Sequence, residues 1–175
     1  MGWWDCGIMG GDPAWDAADC FDAMTRPDPP ESLIPAEDDG RFMLMNAPDN
    51  WEDAERALVR YRFAAVGGFA SALAQLLATR YSESYTTADD RGIATQVLGL
   101  LAISCGAPLS SADRQVVIAA CAQDAWASGR ADRRGCCDAL EALIQEYQDG
   151  EPVTVPQCRL FDRFLAAFSP AEVAE

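Results

Sequence analysis

Chemistry in this chain has to come from carboxylates and thiols: it holds 28 Asp and Glu, seven Cys and no His. Without an imidazole the usual general base at neutral pH is missing. A Ser-His-Asp or Cys-His nucleophile therefore cannot be assembled. Zinc would have to be bound by Cys alone or by Cys with carboxylates. The thiols at Cys6, Cys20, Cys105, Cys121, Cys136, Cys137 and Cys158 show no paired-ligand spacing, which argues against zinc. The C-x-x-C spacing of redox motifs is also absent. Cys105, Cys121 and Cys158 fall among apolar residues and read as small hydrophobes. Cys136-Cys137 reads as helix surface followed by helix core.

The carboxylates leave two options open. Asp5, Asp12, Asp16 and Asp19 lie around the loop Gly7-Ile8-Met9-Gly10-Gly11-Asp12 and could serve a metal-dependent hydrolase. No twelve-residue loop has the alternating oxygen ligands, central Gly and closing Glu of an EF-hand. The glycine loop precedes a helix, as phosphate-binding loops do. It has no Lys, departs from the P-loop pattern and sets Asp12 where the anion would sit. We read it as a tight turn packing Trp3, Trp4, Ile8 and Met9 onto the helical body. The other option is that the acids form a binding surface. No cofactor is implied.

The distribution of charge favours the surface. The net charge is −15. Residues 1–55 hold 14 Asp and Glu against Arg26 and Arg41, for −12, and the remainder is nearly balanced. Such a field repels nucleic acid and anionic membrane and attracts basic protein surfaces. Asp16, Asp19, Asp22, Asp28, Glu31, Glu37, Asp38 and Asp39 are the expected anionic surface. All 13 cations are arginine, as a GC-rich genome would favour. Adaptation to high salt would spread acid over the whole chain, which is not the pattern here.

The elements that must position these residues are helical. Asp12-Pro13 resembles an N-cap with Pro at the first helical position. A helix follows over 13–25, with Ala14, Ala17, Ala18, Phe21 and Met24 on one side and Asp16, Asp19 and Asp22 on the other. Five prolines make 26–50 irregular, with one short strand or a buried extended segment expected at 41–45. Asp49 or Asn50 should cap a long helical stretch to Tyr81 in which Gly67-Gly68 marks a kink, a break or a close approach. Thr87 and Asp90 resemble a capping box for a helix apolar nearly all round, the expected buried centre. Gly106 and Pro108 stop it. Ser110 with Asp113 opens a helix running through Trp126 to about Gly129, and another spans 131–148. The last, over 157–168, carries Phe161, Phe164, Leu165 and Phe168 at i, i+3, i+4, i+7. Trp15, Trp51 and Trp126 read as core anchors. The expectation is a mainly α single-domain bundle of about six helices, with an acidic N-terminal segment over 1–50 and a helical domain over 51–175. No apolar run reaches the length of a membrane span, and the first residues lack the basic and apolar regions of a secretory leader.

Met1-Gly2-Trp3-Trp4 followed by Ile8-Met9-Gly10-Gly11-Asp12 resembles the opening of small uncharacterised proteins encoded by bacteriophages and prophages. Gly106-Ala107-Pro108-Leu109, Arg114-Gln115 and Asp124-Ala125-Trp126 are similar in type. The likeness covers about the first 15 residues and 105–127, and departs from the family over 13–22, which is rich in Ala and Asp. It implies expression in a bacterial cytoplasm and carries over no catalytic residues. Charge and resemblance together favour a non-enzymatic acidic binding protein. Its partner would be a basic surface of a host nucleic-acid-binding protein, such as a CRISPR-type defence complex, engaged by nucleic-acid mimicry. The alternatives are the carboxylate hydrolase above and an accessory phage structural protein assembling through the Phe161–Phe168 face.

Overall fold

The computed structural model describes residues 7–9, 12–25, 51–79 and 88–154. They form six α-helices and no strand: α1 (Asp12–Met24), α2 (Asp53–Ala65), α3 (Phe69–Thr79), α4 (Ala88–Cys105), α5 (Ser111–Ala122) and α6 (Ala131–Glu146). One short 3-10 turn, Ala127–Gly129, lies between α5 and α6. The expected all-helical bundle is what the chain adopts. The strand at 41–45 and the helix at 157–168 fall outside the described residues.

α4 is the axis of the bundle. Every residue from Ile93 to Ala107 is buried, and α1, α2, α3, α5 and α6 all pack against it. A helix apolar on all sides has no solvent face to present, so its neighbours must surround it. Gly99 sets the distance to α5. A Cβ there would lie 2.6 Å from one Val117 methyl and 2.8 Å from the other. α1 shares this core through Ala14, Ala17, Ala18 and Phe21. The acidic composition of 1–50 thus conceals a helix that shares one core with the helices that follow it.

Local signals fix the helix ends. At Gly67-Gly68 the chain breaks. Gly67 N–H donates to Ala64 O at 3.1 Å and Gly68 N–H to Phe63 O at 2.7 Å. Gly67 has φ +91°, so this is the left-handed Schellman ending that closes the last carbonyls of a helix. Gly106 (φ +77°) ends α4 in the same way, with Ala107 N–H reaching Ala102 O at 2.8 Å. The Ser110–Asp113 capping box is present. For α2 the capping position is Glu52 rather than Asp49 or Asn50, and its N–H donates to Glu55 Oε2 at 2.6 Å.

α5 is shorter than its sequence suggests. It ends at Ala122 instead of running to Gly129. Asp124 is the physical reason: its Oδ1 accepts the Ala127 N–H at 2.7 Å. A side chain that takes over a backbone donor in this way competes with helix continuation.

Candidate functional site

The structure separates the expected acidic surface into distinct environments. Asp19 is exposed and Asp16 half-buried on α1. Asp22 does not belong to that surface. Its side chain is 3% exposed and forms an ion pair with Arg62 of α2. The three-residue spacing of Asp16, Asp19 and Asp22 drifts around the helix and carries the third acid into the α1–α2 seam. There burial pulls the Arg62 guanidinium below its ordinary value. Asp28, Glu31, Glu37, Asp38 and Asp39 lie outside the described residues, as does Asp5. Among the described residues no group of three or more Cys, Asp or Glu is placed to hold a metal ion.

Several arginines are drawn into the framework. Arg56 and Arg60 of α2 donate to the C-terminal carbonyls of α4, Ser104 O at 3.1 Å and Cys105 O at 2.9 Å. Arg114 of α5 reaches the end of α6, donating to Ile144 O at 3.4 Å, to Tyr147 O and to Asp149 Oδ1 at 2.9 Å. Arg134 of α6 donates to Cys121 O in the last turn of α5 at 3.0 Å. Helix C-termini carry unsatisfied carbonyls and partial negative charge. A guanidinium, with five donors in a planar fork, serves them better than an ammonium.

Arg133 is the most deeply committed cation, with no solvent exposure. Its Nη2 donates to Asp124 Oδ2 at 2.8 Å and to Gln96 Oε1 at 2.6 Å, and its Nη1 to Gly7 O at 2.6 Å. Gln96 in turn donates to Asp124 Oδ2 and Ala120 O, each at 3.0 Å. Burial pushes the Asp124 carboxyl up. The Gln96 hydrogen bond, the Arg133 charge and the Ala127 N–H outweigh that and hold it below its ordinary value. Cys137 Sγ lies 3.7 Å from the same Oδ2. A hydrogen bond between Cys121 and Cys137 pushes the Cys121 thiol up and draws the Cys137 thiol down. The group ties α4, α5, α6 and the Gly7 turn together, and Ile8 and Met9 are buried beside it. The expected packing of that turn therefore holds for Ile8 and Met9; Trp3 and Trp4 lie outside the described residues.

Trp51 is a core residue, as its type suggests, and Trp15 packs half-buried against the core. Trp126 has a different role. The guanidinium carbons of Arg130 and Arg133 each lie 5.2 Å from its ring centroid, so the arginines it captures are the chain's own. It also lines a groove of about 600 Å³ between α3, the start of α4 and α5. Leu73, Leu77, Ile93 and Val116 supply the groove's apolar surface, and Asp89 and Asp90 stand in its wall. Spacing alone did not reveal Gln96, Asp124 and Arg133 as a unit, because they come from three separate segments. The one signal in the sequence was the exclusive use of arginine.

No protein-family model, curated protein or solved structure matches this chain. The described residues define an all-helical bundle in which Arg62 and Arg133 are buried against Asp22 and Asp124. Among the described residues, no helix is long and apolar enough to cross a membrane.

Proposed function

We propose that this protein is a non-enzymatic binding protein that presents an anionic surface to a basic partner, in the concrete case a nucleic-acid-binding host defence complex of the CRISPR type. One observation carries the reading: among the described residues most arginines are committed to buried acids or to helix-end carbonyls, while many carboxylates stand exposed. Arg62 and Arg133 are buried against Asp22 and Asp124, and Arg56, Arg60, Arg114 and Arg134 close helix ends. Asp19, Glu52, Asp53, Asp89, Glu146 and Glu151 are exposed. Cations used in this way cannot swing out to neutralise the exterior, so the field of a −15 chain reaches solvent. Rows of carboxylates then compete with phosphates for Arg and Lys grooves.

The test is competition. The full chain is titrated against a purified basic nucleic-acid-binding complex carrying a labelled DNA duplex, at rising salt. Displacement of the duplex that weakens steeply as salt rises is the expected outcome. Displacement indifferent to salt, or none at low salt, overturns the reading.

A further inference from the structure

We infer that Cys121 of α5 and Cys137 of α6 form a modification site, a dithiol that a peroxide closes to a disulfide, stapling the two helices across the turn that holds Asp124. The inference is independent of the anionic reading above.

A disulfide forms only where the backbone already holds two sulfurs together. Two contacts bracket this pair. Arg134, one turn before Cys137 on the same face of α6, donates to the carbonyl of Cys121 at 3.0 Å. Cys137 Sγ in turn lies 3.7 Å from Oδ2 of Asp124, about one turn beyond Cys121. α5 and α6 pack side by side, and between these contacts the two thiols hydrogen-bond to each other. Both side chains are buried. No C-x-x-C spacing marks the pair, because the fold assembles it from separate helices.

The surroundings give the two sulfurs different roles. The thiolate is the nucleophile in thiol chemistry. The hydrogen bond from Cys121, with the charge of Arg133, outweighs burial and the Asp124 carboxylate and draws the Cys137 thiol down. The same hydrogen bond, with burial, pushes the Cys121 thiol up. Cys137 is therefore the attacking sulfur and Cys121 the resolving one. Asp124 touches Cys137 and also lines the open groove beside α4 and α5, so a water-sized oxidant has a short way in.

The chemistry balances with one peroxide. The Cys137 thiolate attacks one peroxide oxygen, the O–O bond breaks, and the other oxygen leaves as water with the proton that Cys137 gave up. Cys137 is then a sulfenic acid. The Cys121 sulfur attacks the Cys137 sulfur, the S–O bond breaks, and the oxygen leaves as a second water with the Cys121 proton. Two electrons pass from the sulfurs to the peroxide.

The test treats the reduced full chain with a slight molar excess of hydrogen peroxide, blocks the remaining thiols with iodoacetamide and maps the tryptic peptides without reductant. Trypsin places Cys121 in 115–130 and Cys136, Cys137 and Cys158 in 135–159. The expected product is a cross-link between these two peptides, which fragmentation assigns to Cys137. This reading comes from the wild-type chain and does not depend on a variant folding. Cys105 is equally buried, but its thiol donates to Ala102 O at 3.3 Å. It should be recovered blocked, at least about tenfold less oxidised than Cys137. In urea the same treatment should scatter the links over several cysteines. The oxidised chain should also unfold at a higher urea midpoint, a shift that dithiothreitol reverses and that peroxide fails to produce in Cys121→Ala.

No cross-link, a link to Cys136 or Cys158, or Cys137 carried to its sulfinic acid instead overturns the proposal. A link equally selective in urea would mean that nearness along the chain chooses the partner, and overturns it too. So does an oxidised chain whose midpoint is unchanged or lower, since the two helices would then not be stapled.

Discussion

Arg133 and Asp124 meet twice through one oxygen: Nε at 3.1 Å and Nη2 at 2.8 Å both donate to Oδ2. The pair joins the start of α6 to the turn after α5, and the side chains are 0% and 5% exposed. Gln96 from the central helix and the carbonyl of Gly7 also accept from the guanidinium. A buried charge so fully hydrogen-bonded is tolerated; the same charge with one partner removed is not.

Removing the cation should therefore be costly. Arg133→Met leaves the Asp124 carboxylate without its cation and takes one donor from the Gly7 carbonyl, and should cost about 3–5 kcal/mol in urea unfolding. Arg133→Lys should recover little, because an ammonium cannot reproduce the fork. The double variant Arg133→Met, Asp124→Leu should be more stable than Arg133→Met alone. A single variant within about 1 kcal/mol of wild type would show the network to be dispensable.

Acid should act through the same carboxyl. Asp124 is held below its ordinary value of 3.8, so its contribution is fully present above 3.8. It is lost as pH falls through the lower folded value, because the unfolded chain then binds the proton more readily. Asp124→Asn should be less stable at pH 7 and lose less on going from pH 4 to pH 2. Parallel stability–pH curves for the two proteins would contradict this.

Alkali should act at the other end of α4. Burial pushes the Tyr147 phenol up to about 12 and the Cys105 thiol up to about 12. The fold holds both neutral while the unfolded chain ionises near 9 for the thiol and 10 for the phenol. Their stability is thus intact below pH 9 and drains away between 9 and 12. Tyr147 Oη donates to Ala107 O at 2.8 Å. Tyr147→Phe should lose about 1 kcal/mol at neutral pH but show a smaller further loss between pH 9 and 11. An unchanged alkaline limb by circular dichroism would place the sensitivity elsewhere.

Two small substitutions within α4 should move stability in opposite directions. Gly99→Ala improves helix propensity by about 1 kcal/mol, yet its methyl would meet both Val117 methyls closer than 3 Å. Overpacking should win, with a net loss of about 1–2 kcal/mol. Ser104→Ala removes a buried hydroxyl that has no hydrogen-bond partner among the described residues. It should gain about 1 kcal/mol. Thermal unfolding of the pair decides it, and a stabilised Gly99→Ala would mean that α5 can yield.

Residues close in sequence determined most of the helical layout. Phe21 and its alanines mark the buried side of α1, Gly67 and Gly106 mark left-handed endings, and Ser110 with Asp113 marks the start of α5. Each depends on neighbours within a turn or two, so each is legible without the fold. The buried character of α4 was legible too, since no arrangement of Val97, Leu98, Leu100, Leu101 and Ile103 leaves a polar side. Tertiary structure alone decided what the charges do. Asp22 belonged by spacing to an acidic stripe, but the packing of α1 on its neighbours buried it against Arg62. Asp124 and Trp126 read as the tail of a helix until Arg133, Gln96 and Gly7 drew them into a turn. Charge on a sequence counts carboxylates and guanidiniums alike. Only when distant carbonyls and acids converge is it settled which charges are paired inside the protein and which face the solvent.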